Sequence, residues 1–206
     1  MKPEILPPTV YSAAYFDSLF AKDCDPWGFE SRWYERRKRA LTLACLPSAR
    51  YHRGYEPGCA NGALSAALAQ RCDHLLVSDG SDNAVALARR RLKAQTHVEV
   101  IKAWVPDSWP EQTFDLIVLS EFLFYLSLPA LEGIAARVLA TLAPGGTVVA
   151  CHWRHPVLHS VISGDDAHAH LTRCLQLPKQ CHVLEPDLRL DVWSASLSVA
   201  QQEGFV

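Results

Sequence analysis

Tyr55-Glu56-Pro57-Gly58-Cys59-Ala60-Asn61-Gly62 is the stretch that decides the fold. It grows out of a short run with strand character, Tyr51–Glu56. It leads into a helical stretch, Gly62–Cys72, whose Leu64, Ala67 and Leu68 share one face. A buried strand, His74–Asp79, follows and ends in an acid. Strand, glycine-bearing bend, helix and second strand together form the opening unit of a nucleotide-type cradle.

The same alternation continues downstream. Ser81 is placed to cap a helix over 82–95, with Val85, Ala88 and Leu92 inward. His97–Lys102 alternates as a strand does, and Phe114–Ser120 is a near-continuous apolar run, as a central parallel strand requires. Pro129 opens a helix striped by Leu131, Ile134, Ala135, Val138 and Leu142. Ala143-Pro-Gly-Gly stops it, and Thr147–Trp153 is a further strand. Strands separated by helices imply right-handed βαβ units and a doubly wound, mostly parallel sheet in a three-layer α/β/α sandwich. A helix at 165–176 then precedes His182–Leu184 and Leu188–Trp193, close enough for an antiparallel hairpin.

Upstream, Ala13, Phe16, Leu19 and Phe20 recur at helical spacing within 11–23. Pro26 and Gly28 break that pattern, and a second helix is expected at 30–45 with Tyr34, Leu41 and Cys45 on one face. The Pro-rich first ten residues are expected to be poorly ordered. The expectation is one domain over 1–206: a helical cap at 11–45, a cofactor-binding core at 50–155, and a C-terminal helix and hairpin at 156–206.

Composition sets the outer bounds. A chain of 206 residues with 49% hydrophobic and 20% charged residues is long enough for a full α/β core. A net charge of −2 gives no reason to expect nucleic acid as a partner. Arg36-Arg37-Lys38-Arg39, flanked by Glu30 and Glu35, reads as a solvated helix face. Seven cysteines without a CxxC pair fit free thiols in a reducing cytosol. With no signal-like or membrane-length apolar run, a cytoplasmic protein without a membrane partner is expected.

The cradle discriminates between two ligands. GxGxxG spacing from Gly58 lands on Gly58, Ala60 and Ala63, a poor fit to a dinucleotide turn. The pattern acid-x-Gly-x-Gly-x-Gly lands on Glu56, Gly58, Ala60 and Gly62, where only Ala60 departs. S-adenosyl-L-methionine has no pyrophosphate, so its loop need only let a flat zwitterion lie close to the backbone. Gly58 and Gly62 permit that approach, and Glu56 favours the ligand's ammonium and sulfonium region. Asp79 can accept both ribose hydroxyls, with Gly80 and Ser81 beside it. Helix capping with Ser81 and Asp82 is the plain alternative for Asp79, and the loop upstream favours the ligand role. Trp104 and Val105 are candidates to border the adenine, although Trp104 serves equally well as ordinary packing.

Several separated pieces resemble one family. Glu56-Pro-Gly-Cys-Ala-Asn-Gly, Asp79, Ser120-Glu-Phe-Leu-Phe-Tyr-Leu and Cys151-His-Trp-Arg-His are similar to NodS-like class I methyltransferases. So are Asp25-Pro-Trp-Gly-Phe, Trp33-Tyr-Glu-Arg-Arg-Lys and Gly164-Asp-Asp-Ala-His. The resemblance implies a seven-strand sheet, S-adenosyl-L-methionine as cofactor, and methyl transfer to a small-molecule or oligosaccharide acceptor, by analogy an amino sugar or chitooligosaccharide. It assigns Gly58, Cys59 and Asp79 to the cofactor. Trp27 and Arg37 would close over it, with Arg37 pairing to its carboxylate. Glu121 and Tyr125 would lie near the methyl group and acceptor. A monomer or a homodimer both remain open.

Methyl transfer from a sulfonium is an in-line displacement that needs positioning rather than a protein nucleophile or a metal. Glu121 and His152 follow apolar strands and are the candidate bases for an amine acceptor. Strand-end residues held by local hydrogen bonds would look the same. Tyr125, Trp153 and Arg154 are candidate acceptor contacts, with core packing the plain alternative for Trp153. Histidines 152, 155, 159, 168, 170 and 182 crowd the last third without metal-site spacing, so no metal is expected. An NAD(P)-dependent oxidoreductase, or a module that binds S-adenosyl-L-methionine without turnover, remain the rival readings.

Overall fold

The computed structural model describes residues 12–158 and 160–206, so the Pro-rich N-terminus and His159 lie outside the described residues. Seven strands form one sheet in the order β3-β2-β1-β4-β5-β7-β6. These are β1 (Tyr51–Pro57), β2 (Cys72–Asp79), β3 (Val98–Lys102), β4 (Phe114–Ser120), β5 (Leu142–Trp153), β6 (Lys179–Leu184) and β7 (Leu188–Ser194). β7 runs antiparallel to both its neighbours, and the remaining pairings are parallel. The strand order reverses between β1 and β4, and open α/β sheets bind ligands beyond the carboxyl ends at such a point.

Helices cover both faces: α1 (Ala13–Lys22), α2 (Trp33–Ala44), α3 (Ala63–Leu68), α4 (Asp82–Leu92), α5 (Leu128–Thr141), α6 (Gly164–Leu175) and a short α7 (Val199–Gln202). The alternation of β4 and β5 sorts the core into two layers. Leu116, Val118, Val149 and Cys151 point to one face, with Leu68, Ala88 and Leu92. Ile117, Leu119, Val148 and Ala150 point to the other, with Leu131, Ile134, Val138 and Leu171. Each fully buried Val, Leu or Ile side chain among these contributes roughly 1.5–3 kcal/mol.

The expected helix after the bend is shorter than its apolar pattern. α3 ends at Leu68, a 3₁₀ turn covers Ala69–Arg71, and Cys72 already pairs with Tyr51 as β2. Ala143-Pro-Gly-Gly does break pairing. Phe114 pairs with Leu142 and Leu116 with Thr147, so residues 143–146 bulge out at the start of β5. The expected hairpin is present as β6–β7. Among the described residues no helix is long and apolar enough to cross a membrane.

α2 departs most from its reading. Tyr34, Leu41 and Cys45 pack partly against the core, but its buried residues are Glu35, Lys38 and Thr42. A helix that buries a polar stripe at i, i+3 and i+7 is facing something other than an oily core.

Candidate active site

A cleft of about 980 Å³ opens at the carboxyl ends of β1, β2, β4 and β5, beneath α1 and α2. Its floor is the bend that follows β1. Gly58 has φ +73° and Ala60 φ +52°, so the chain passes through left-handed backbone where a side chain is costly. A Cβ at Gly58 would sit 3.3 Å from the Phe122 ring. Gly62, with φ +77°, lines α3 against α4 instead, because a Cβ there would come within 3.2 Å of Ala88 Cα. Its smallness therefore serves helix packing, and it does not line the cleft as expected.

Asp79 lies at the end of β2 and lines the cleft. Its Oδ2 accepts the Ala60 N–H at 2.9 Å and its Oδ1 accepts the Ser81 N–H at 2.9 Å. Burial pushes its carboxyl above the ordinary range against the pull of these amides. Each oxygen keeps a second lone pair for a ligand hydroxyl. Ser81 turns away from the cleft. Its hydroxyl donates to Asp17 at 2.7 Å and accepts the Ala84 N–H as the cap of α4, so it is not placed to touch a cofactor. Gly80 packs so tightly under Trp104 that a Cβ would run into the indole, and Trp104 and Val105 both line the cleft.

Glu56 is 2% exposed and its Oε2 has no hydrogen-bond partner. Burial pushes its carboxyl up to about 8. An orphaned carboxyl beside a cleft is a group waiting for a cationic or hydrogen-bonding ligand. Cys59 is buried, and burial raises its thiol well above the usual range, which removes it as a nucleophile. Asn61 anchors the bend to the N-terminal segment through its amide, which donates to Cys24 O at 3.1 Å and Asp25 Oδ1 at 3.4 Å. Asp25 in turn accepts the Phe29 and Glu30 N–H groups, so the Asp-Pro-Trp-Gly-Phe segment folds over the bend and brings Trp27 to the cleft wall.

α2 closes the roof. Lys38 is 6% exposed and donates to Glu121 Oε1 at 2.7 Å and to Glu35 at 3.0 Å. Burial opposes its charge, but Glu121 and Glu35 outweigh burial and hold the ammonium above its ordinary pKa. Glu121 has φ +60°, and its other oxygen accepts the Trp153 N–H at 3.0 Å. The two bonds over-determine a backbone conformation that a non-glycine residue rarely adopts. The candidate base is therefore present at the cleft but already engaged at both oxygens. Tyr34 meets Trp153 edge to face at 5.1 Å, Tyr125 and Phe124 line the same side, and the Tyr34 hydroxyl is buried without a partner. Burial raises that phenol well above its ordinary pKa.

Besides Gly62 and Ser81, three more expected residues lie elsewhere. Arg37 forms a fork to Glu185 at 2.6 Å through both terminal nitrogens, facing away from the cleft. The helical phase explains this: residues 34, 35, 38, 39 and 42 of α2 face the cleft, and residue 37 does not. Arg39 and Arg32 bring the guanidinium groups instead. Arg154 is clamped by Asp165 and by the Glu185 carbonyl, away from the cleft. His152 is fully buried on the α6 side of β5, and burial lowers its pKa well below the usual imidazole range. It cannot reach an acceptor. Arg32, Tyr34, Glu35, Lys38, Arg39, Asn61 and Phe124 line the cleft without being singled out in the sequence, and Lys38 is buried where the basic run reads as a solvated face. The i, i+3 spacing of Glu35 and Lys38 was visible, but a solvated pair looks identical. Among the described residues no histidine, cysteine and carboxylate side chains gather in threes or more as a metal site.

Comparison with known proteins bears on this geometry. The family Nodulation protein S (NodS) matches residues 16–172. Nodulation protein S of Rhizobium tropici is 34% identical over 127 residues, 61% of this chain and 53% of that protein. Its counterpart in Sinorhizobium fredii is also 34% identical over 127 residues, 61% of this chain and 59% of that one. The chain thus spans little more than half the length of these curated relatives. The crystal structure of N-methyltransferase NodS from Bradyrhizobium japonicum WM9 with S-adenosyl-L-homocysteine is 26% identical. It superposes with a TM-score of 0.80 over 88% of this chain and 97% of that one. A methyltransferase-like protein of Pseudomonas syringae is 48% identical, with a TM-score of 0.72 over 79% of this chain and 99% of that one. The seven-strand sheet is that of class I methyltransferases.

Proposed function

The chain belongs to the NodS family, and on that premise we propose that it transfers a methyl group from S-adenosyl-L-methionine to an amino group of a small acceptor, with an amino sugar or chitooligosaccharide as the acceptor class. The observation that carries the reading is the Glu56–Asp79 pair at the switch point of the sheet: a carboxylate at the end of β2 and an unpartnered carboxyl oxygen at the end of β1, both facing one cleft. In this reading Asp79 accepts the ribose hydroxyls. Gly58 lets the nucleoside approach the backbone, Gly80 lets Trp104 pack close beside it, and Trp104 and Val105 border its base. Arg39 and Arg32 take the carboxylate, and Trp27 covers the amino-acid end. The cofactor supplies an electrophilic methyl group.

The acceptor side is lined by Tyr34, Phe124, Tyr125 and Trp153, flat aromatic faces of the kind that cover sugar rings. Glu35 and Glu121 carry two negative charges and Lys38 returns one. The remaining negative charge in a low-dielectric roof favours an amine arriving as an ammonium. Glu121 then orients the acceptor nitrogen and accepts the proton it must lose, so that the nitrogen lone pair takes the methyl group as the sulfur–methyl bond breaks, and Lys38 holds Glu121 in place. The helical cap and the C-terminal hairpin complete one catalytic domain in this account. The proposal is tested by a homocysteine-release assay with S-adenosyl-L-methionine. Partly deacetylated chitooligosaccharides should be turned over and fully acetylated ones should not. No release with any primary amine offered would refute the proposal.

A further inference from the structure

We infer that His152 is a positioning residue for the acceptor side of the cleft: its bare Nε2 holds the backbone of Leu123, and His168 and Asp191 fix its tautomer. The inference rests on the proposed methyl transfer only for its kinetic consequence.

The proton positions follow from one donor. The Leu123 N–H points at His152 Nε2 across 3.2 Å, and a backbone amide can only donate. His152 Nε2 is therefore bare, and the ring's single proton sits on Nδ1. That proton is donated to His168 Nε2 at 3.0 Å. His168 then carries its own proton on Nδ1 and donates it to Asp191 Oδ2 at 2.7 Å. The relay ends on a carboxylate whose charge is met by Lys179 at 2.8 Å, Arg189 at 2.9 Å and His182 at 2.7 Å. His152, His168 and Asp191 are all 0% exposed. No step in this chain has an alternative assignment while both imidazoles are neutral.

The same chain excludes a catalytic role. The reacting end of His152 abuts an amide, which neither gives up nor takes a proton at neutral pH, so nothing can be passed to a substrate. What the chain can do is tie three elements to one turn. His152 is on β5, His168 on α6 and Asp191 on β7, while Leu123 opens the 3₁₀ turn Leu123–Tyr125 that follows β4. The turn is gripped from its other side by the Val161 N–H on Phe124 O at 2.8 Å. The Phe124 ring stands edge-on to His152 at 5.5 Å. Phe122, Phe124 and Tyr125 line the cleft, and Phe122 limits the space over Gly58. Releasing Leu123 would thus let the aromatic wall drift.

The test uses the full chain. Long-range nitrogen–proton spectra of histidine-labelled protein should show His152 and His168 both neutral and both protonated on Nδ1, the tautomer that free imidazole disfavours. An Nε2-protonated or doubly protonated His152 overturns the inference, and this readout needs no activity. Comparing His152→Leu with His152→Gln supplies the function. Leu removes the acceptor of the Leu123 N–H, whereas Gln can place an oxygen near it. The Leu variant should shift the Leu123 amide signal. It should also raise KM for a deacetylated chitooligosaccharide about tenfold, the scale of one lost buried hydrogen bond, with S-adenosyl-L-homocysteine affinity within about threefold. Gln should restore both readouts. An unmoved Leu123 signal, or lowered stability with unchanged kinetics, overturns the inference. If the Leu variant does not fold, the tautomers of the native chain decide. If no acceptor is methylated, the proposed function fails, while the tautomer and amide readouts still judge this inference.

Discussion

Replacing Lys38 with Met isolates the charge balance of the cleft roof. Met keeps the length of the side chain and removes its ammonium, so packing changes little. The loss leaves Glu35 and Glu121 facing the gap, with their former partner at 3.0 Å and 2.7 Å gone. At an effective dielectric of about 20, a unit charge pair at the shorter distance is worth about 6 kcal/mol before the cost of desolvating Lys38 is set against it. Measured losses when one member of a buried pair is removed run to about 3–5 kcal/mol. Lys38→Met should therefore lower the urea-derived unfolding free energy by about 3–5 kcal/mol, a large share of the roughly 5–15 kcal/mol typical of a domain. Adding Glu121→Gln removes one of the stranded charges and should recover part of the loss, so the double variant is more stable than Lys38→Met alone. A loss under about 1 kcal/mol, or a double variant less stable than the single, would refute the view that this triad is a buried, mutually dependent unit.

Three further outcomes are expected. Asp79→Ala should weaken S-adenosyl-L-homocysteine binding by about 1–3 kcal/mol in calorimetry, the cost of lost charge-assisted hydrogen bonds; unchanged affinity removes Asp79 from the site. Gly80→Ala should displace the Trp104 ring, quench or shift its fluorescence response to ligand, and cost about 1–3 kcal/mol of stability from overpacking; a neutral effect on both would mean the wall is pliable. Burial raises the Glu56 carboxyl from 4.5 to about 8, so the folded chain keeps a proton that the unfolded chain has lost. Stability from this group is complete below pH 4.5 and declines as pH rises toward 8, by at most about 1.4 kcal/mol per pH unit. The difference in unfolding free energy between the native chain and Glu56→Gln should drift in that direction, and a pH-independent difference would show the carboxyl ionised.

The sheet was legible because its signals are local. Phe114–Ser120 is a short apolar run of the kind a central strand shows, and the stripe from Leu131 to Val138 has the spacing of a core-facing helix. The bend was legible because Gly58 must adopt a left-handed backbone there. What sequence left open depended on which way a side chain points. The alternation of β5 sends Trp153 to the α2 face and His152 to the α6 face, so two neighbours in sequence part company. That much was available from period-two counting; which face carries the cleft was not. On α2, Arg37 and Lys38 differ by one residue and about 100° of helical turn, and only the docking of the helix decides which is buried. Arg154 and Arg37 found carboxylate partners distant in sequence, Asp165 and Glu185, that no spacing rule reveals.

One cleft, between the Gly58 bend and α2, is proposed to hold the methyl donor. A crystal structure of the chain with S-adenosyl-L-homocysteine tests it most directly. The ribose should lie on Asp79, the base against Trp104, and the amino-acid end under Trp27 near Arg32 or Arg39. Ligand found outside this cleft, or NADH taking its place in the same crystals, would contradict it.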